Sequence, residues 1–230
     1  MGDDRIAFVL YPGFTVLDMV GPLQVFTSLR TFAPRFEAVV VAAEIEPSPT
    51  DTPLQLVPSH TFEAVPDPTV VIVPGGGVPT IRAMGDRTIR DYLLRTAETA
   101  DVVASVCTGA LILAAAGLLE GRRATTHWAY HGLLERLGAT YVPERWIEDG
   151  RFLTSAGVSA GIDMALHLVA RLTDESTARM VQLGIEYDPQ PPFGPIDWSG
   201  VDRDVLAPVL QQNVKAALAD DPALLAKLVD

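Results

Sequence analysis

One thiol and one carboxylate carry the best prospects for covalent chemistry in this sequence. Cys107 is the only cysteine among 230 residues. It follows the run Val102-Val103-Ala104-Ser105-Val106 and precedes Ala110-Leu111-Ile112-Leu113-Ala114-Ala115-Ala116. The first run reads as a buried strand and the second as a helix. The thiol therefore sits at a strand-to-helix turn, near unpaired backbone N–H groups. That setting favours an anion and predicts a thiol that ionises more readily than a free one. A free cysteine is also a common buried packing residue, but the hinge position favours a nucleophile.

Asp18 lies among Val16, Leu17, Met19 and Val20. Apolar neighbours predict a partly buried carboxylate with a raised pKa, suited to trading protons with a neighbouring thiol. An acid in the first turn of a helix would look the same, and local sequence leaves both readings open. Gly75-Gly76-Gly77 follows a strand. Three glycines let backbone N–H groups face a developing anion, and they equally suit a tight turn. No Lys-Ser or Lys-Thr pair follows, so a phosphate-binding P-loop is excluded. Thr108 offers an N–H beside the nucleophile and a hydroxyl, which also fits a helix cap. His127 follows a short strand and is expected in a supporting structural role near the thiol. The histidines at 60, 127, 131 and 167 show no zinc-like spacing with a cysteine or carboxylate. His127 and His131 alone would bind a metal weakly. No metal site and no cofactor are expected.

Positioning these groups is the task of an alternating strand and helix pattern, which predicts an α/β domain with a mainly parallel sheet. Strands are expected over 5–11, 36–43, 70–73 and 102–106, with a minor one at 54–57 and a short one at 122–126. Asp149-Gly150 marks a hairpin between 146–147 and 152–154. Helices are expected over 17–29, 88–100, 110–116, 127–137, 161–172, 175–186, 202–218 and 222–229. In such sheets ligands bind beyond the carboxyl ends of the strands, where Asp18, the three glycines and Cys107 converge.

The bulk composition narrows the partners. A net charge of −12 disfavours nucleic acid and anionic membranes. A single cysteine excludes an intrachain disulfide framework and fits a reducing cytoplasm. Residues 1–5 lack the pattern of a signal peptide, Ile6 does not fit a myristoylation signal, and no apolar run reaches a membrane span. One domain over 1–230 is expected, with 195–230 as a helical C-terminal extension.

Several motifs together resemble the ThiJ/PfpI superfamily, which has the class I glutamine amidotransferase-like, flavodoxin-like fold with a nucleophile elbow. They are Leu10-Tyr11-Pro12-Gly13-Phe14, Leu17-Asp18, Val73-Pro74-Gly75-Gly76, Ser105-Val106-Cys107-Thr108-Gly109-Ala110 and Thr125-Thr126-His127-Trp128. The likeness runs over roughly residues 5–195 and is greatest to the isocyanide-hydrating branch. It implies a cofactor-independent homodimer acting on a small molecule. It also implies Cys107 as nucleophile, Asp18 as acid/base, Thr108 as a supporting hydrogen-bonding group, and Gly75 and Gly76 at the oxyanion side, with the continuation from Gly77 departing from the family pattern. The activity implied is hydration of an isocyanide to an N-substituted formamide through a covalent thioimidate.

Competing readings each meet a mismatch. A glyoxalase-like member is expected to carry glutamate where this chain has Asp18. A PfpI-type protease is expected to have histidine directly after the cysteine, where Thr108 stands. A glutamine amidotransferase needs a downstream His–Glu pair, and none is convincing. A regulator with helix-turn-helix units needs a long basic tail, whereas Asp202, Asp204, Asp220 and Asp221 make this one acidic. A stand-alone small-molecule or redox sensor built on the same thiol remains the alternative outside enzymes.

Overall fold

The computed structural model describes residues 4–229. Seven strands form one sheet: β1 (Asp4–Val9), β2 (Phe36–Ala42), β3 (His60–Thr61), β4 (Val70–Val73), β5 (Val102–Val106), β6 (Trp146–Asp149) and β7 (Phe152–Ser155). Their spatial order is β6–β7–β5–β4–β1–β2–β3. Every pairing is parallel except the β6–β7 hairpin. All of β4 and β5, and Ile6 to Val9 of β1, are buried. That explains why they read as unbroken apolar runs: helices cover both faces of a parallel sheet.

The helices are α1 (Val16–Leu29), α2 (Gly77–Gly85), α3 (Arg87–Thr99), α4 (Gly109–Ala115), α5 (His131–Arg136), α6 (Ala160–Leu172), α7 (Glu175–Gly184), α8 (Ala207–Ala217) and α9 (Pro222–Leu228). One layer holds α1, α6 and α7. The other holds α2, α3, α4 and α5, with α8 added against α2 and α9 against α5. The core clusters around the central strands, with Phe8, Ile72, Leu111 and Met164 fully buried.

Some expected elements differ. The strand expected at 54–57 is Gln55–Leu56, paired outside the main sheet with Ser48–Pro49. The strand expected at 122–126 shrinks to Arg123–Ala124, paired with Thr140–Tyr141. The helix expected at 127–137 is a 3-10 turn, Trp128–Tyr130, followed by α5. The helix expected from 202 starts at Ala207, behind a second 3-10 turn, Trp198–Gly200. Helix α2 has no counterpart among the expected elements, because Gly77 and Pro79 read as loop residues. Proline is tolerated there, since first-turn N–H groups have no partner within the helix. The reading of residues 1–3 as free of a leader lies outside the described residues. Among the described residues no helix is long and apolar enough to cross a membrane.

Candidate active site

The elbow is built by clamping one residue from both sides. Cys107 directly follows β5 and has φ 57. Its N–H is shared between the carbonyls of Ser155 and Ala156, each at 3.1 Å. Its own carbonyl accepts the Thr126 hydroxyl at 2.9 Å. These bonds from distant segments hold a left-handed backbone that costs a non-glycine residue about 1–2 kcal/mol. The residue two places on allows the turn to close. A Cβ on Gly109 would lie 2.1 Å from the Val73 carbonyl oxygen, so only glycine fits between the elbow and β4.

Asp18 enters from the first turn of α1 and is fully buried. Its Oδ2 accepts the Gly75 N–H at 2.9 Å. Its Oδ1 has no conventional hydrogen-bond partner among the described residues. The carboxyl also interacts electrostatically with the Cys107 thiol. Burial raises Asp18 to about 7, against the smaller opposing pull of the Gly75 N–H and the thiol.

The thiol moves the opposite way from the expectation of easy ionisation. Burial, and then the charge of Asp18, push Cys107 up to about 12. The N–H groups of Val158 and Thr108 face the sulfur and pull it back only in part. Helix α4 is a short seven-residue element, so its dipole does not offset the loss of solvent. The resting pair therefore holds its labile proton on sulfur, while Asp18 exchanges its own near neutral pH.

Thr108 does not cap its helix with its side chain. Its hydroxyl accepts the Gly76 N–H at 2.8 Å and donates to the Gly76 carbonyl at 3.2 Å. It also lies 3.1 Å from the Thr80 hydroxyl. Thr80 in turn meets the Tyr11 hydroxyl at 2.9 Å, and Tyr11 donates to the Pro74 carbonyl at 2.9 Å. The amides of Gly75 and Gly76 are thus engaged with Asp18 and Thr108. Gly77 is exposed and opens α2. The glycine loop holds the acid and the threonine in register. A Cβ on Gly75 would stand 2.5 Å from the Thr108 nitrogen, 2.6 Å from its hydroxyl oxygen and 2.9 Å from Asp18 Oδ2.

Tyr11 and Thr80 join the site without having stood out in the sequence. Tyr11 stands in a quoted motif, but nothing local aims its hydroxyl at Pro74. Thr80 is hidden in the unexpected helix.

A cavity of about 410 Å³ abuts the elbow, lined on one side by Leu17, Thr126, His127, Ala156, Gly157 and Val158. Cys107 itself is only 5% exposed, and neither it nor Asp18 is part of the cavity lining. His127 is on the cavity wall. Its Nδ1 accepts the Ala129 N–H at 3.3 Å, which places the proton of the neutral ring on Nε2. Burial lowers its pKa and keeps it neutral. His131 turns Nδ1 to the Trp128 carbonyl at 3.0 Å, away from pairing with His127. Among the described residues no group of three or more metal-ligating side chains comes together. The structure thus gathers Cys107, Asp18, Thr108, Gly75 and Gly76 into one contact set, with His127 at its edge and Gly77 outside it.

Comparison with known proteins bears on the family and the fold. The profile of the DJ-1/PfpI family matches residues 4–171. The chain is 46% identical over 190 residues to a Pseudomonas putida protein named isonitrile hydratase, covering 82% of this chain and 81% of that one. A crystal structure of a ThiJ/PfpI family protein from Pseudomonas syringae superposes with a TM-score of 0.81 at 37% identity, covering 99% of this chain and 91% of that one. The crystal structure of Drosophila melanogaster DJ-1beta shares the fold at a TM-score of 0.73 and 19% identity, covering 82% of this chain and all of that one.

Proposed function

The chain belongs to the DJ-1/PfpI family, and from that premise we propose that it hydrates an isocyanide to an N-substituted formamide through Cys107. The observation that carries this reading is the coupling of a buried, proton-exchanging carboxyl to a thiol on a clamped elbow, whose clamping residues Thr126 and Ala156 line a neighbouring cavity. The 46% identity to a protein named isonitrile hydratase supports it.

The chemistry fits the two groups. The isocyanide carbon accepts both a nucleophile and a proton. Asp18, as carboxylate, takes the thiol proton while sulfur bonds to that carbon. The N–H groups of Val158 and Thr108, which face the sulfur, stabilise the charge that develops on it. Asp18 then delivers the proton to the same carbon, giving a thioimidate, R–N=CH–S–Cys107. Its carboxylate next removes a proton from water as the oxygen adds to the carbon, and protonates the nitrogen. Collapse to the carbonyl breaks the C–S bond, and the hydroxyl proton returns through Asp18 to sulfur. The sum is isocyanide plus water to formamide. One hard step becomes two that share a proton carrier.

No metal or organic cofactor enters the scheme. Thr108, Gly75 and Gly76 keep the pair in register, and His127 supplies a neutral cavity wall. The same reading includes a homodimer working in the cytoplasm, for which light scattering would give about twice the 24.7 kDa chain mass.

The direct test is to incubate purified protein with cyclohexyl isocyanide and follow the formamide by chromatography. Product from the wild type and none from Cys107→Ala upholds the reading. No product from a protein whose thiol is reduced and titratable overturns it in favour of a sensor.

A further inference from the structure

The segment between α7 and α8 lies outside the part of the chain that matches the family profile, which ends at residue 171. It connects opposite layers, because α7 packs on α1 and α6 while α8 packs on α2. On the way it reaches the cavity beside the elbow: Ile196, Trp198 and Arg203 line the same space as His127, Val158 and Thr126, whose hydroxyl holds the Cys107 carbonyl.

The crossing is built rather than loose. Asp197 accepts the Ser199 N–H at 3.0 Å and fixes the 3-10 turn that presents Trp198. The Arg203 guanidinium lies 5.3 Å from the Trp198 ring centroid and donates to the Tyr141 hydroxyl at 3.0 Å. Tyr141 lines the cavity from the core side. Arg203 therefore ties the added segment to the core across the chamber.

We propose that residues 196–203 form the specificity wall of the substrate chamber, selecting isocyanides whose nitrogen carries a bulky apolar group. The selection claim rests on the hydratase reading. The wall chemistry supports it. Leu17, Trp128, Pro143, Val158, Ile196 and Trp198 offer apolar surface to a substituent. The cationic side chains of the lining are occupied, Arg145 by an ion pair with Asp163 and Arg203 by Tyr141 and Trp198. A chamber of about 410 Å³ is far larger than an isocyano group needs. The remaining space fits a ring or branched alkyl group, and small apolar increments give modest but measurable discrimination.

The experiment uses the full chain with Trp198→Ala and Arg203→Gln, each checked by circular dichroism and thermal melting for an intact fold. Two quantities are read. One is the ratio of kcat/KM for cyclohexyl isocyanide to that for methyl isocyanide, expected to fall about tenfold in Trp198→Ala. The other is the rate at which Cys107 reacts with a bulky anionic aromatic disulfide, expected to rise as the wall opens. Unchanged ratio and unchanged thiol access in folded variants overturn the proposal. If the wild type converts no isocyanide, the hydratase reading fails separately. Thiol access then decides alone: a faster reaction upholds the wall, and an unchanged one overturns it.

Discussion

The Gly75 N–H donates to Asp18 Oδ2 at 2.9 Å, so the loop after β4 grips the carboxyl proposed as proton carrier. Thr108 is gripped by the next amide of the same loop at 2.8 Å. Replacing Gly75 with alanine would drive a Cβ into the Thr108 backbone and the Asp18 carboxylate together. We expect Gly75→Ala to lower kcat by about a hundredfold or more, as displaced catalytic groups do. Steady-state kinetics on cyclohexyl isocyanide measures this, and near-normal turnover would show that the loop does not position Asp18.

The pH profile should report Asp18. The reactive pair needs one negative charge, and Asp18 gains it as pH rises through about 7. Activity should therefore climb through neutrality and stay level well into the alkaline range, because Cys107 holds its proton to about 12. Asp18→Asn should be inactive throughout. A wild-type kcat/KM that is flat from about pH 5 to 9 would remove Asp18 from its role as base.

Stability should carry the same signature with a fixed sign. Burial raises the folded pKa of Asp18 above its unfolded value. Between about pH 4 and 7 the native state then binds more protons than the unfolded chain. Its contribution is full at low pH and is lost as pH rises through the folded value, by at most about 1.4 kcal/mol per pH unit. Asp18→Asn lacks this loss, and its side-chain oxygen can still accept the Gly75 N–H. Its stability advantage over the wild type should widen from about pH 4 to 7 and then stay constant. Urea unfolding at several pH values measures the gap, and a gap independent of pH would contradict a buried Asp18.

Thr108 is 1% exposed, so removing its hydroxyl strands the Gly76 N–H in the interior. Thr108→Val should lose about 1–3 kcal/mol of stability along with turnover. Thr108→Ser keeps the oxygen and should recover most of both. Equal damage from valine and serine would mean that the methyl group matters and the hydroxyl chain does not.

The covalent step predicts a mass. Attack and carbon protonation lose no atoms, so intact protein trapped at low pH with excess isocyanide should gain the whole isocyanide mass. Cys107→Ala should gain nothing. Wild-type protein that turns over without ever showing the adduct would argue against a thioimidate.

The strands and the elbow are legible in the sequence because their signals are local. Val70–Val73 and Val102–Val106 are unbroken apolar runs, and Cys107 stands directly after one of them. Asp18 and Thr108 are identifiable by residue type and place. What stays hidden depends on contacts between distant segments. The thiol's raised pKa comes from burial at an elbow clamped by residues 126, 155 and 156, and the sequence around Cys107 alone implies the reverse shift. The glycine amides look available until the fold brings Asp18 and Thr108 to them. Trp198 and Arg203 give no local sign, because the segment that carries them meets the chamber only after passing from one layer to the other.

The φ of 57 at Cys107 also bears on how such a protein can be improved. Glycine adopts that backbone without strain, so a laboratory selection rewarding only heat resistance or expression yield would favour the substitution Cys107→Gly. The winners would be well-behaved, abundant and inert. Engineering this scaffold for robustness therefore requires an activity readout in every round, because at this position fitness for folding and fitness for turnover point to different residues.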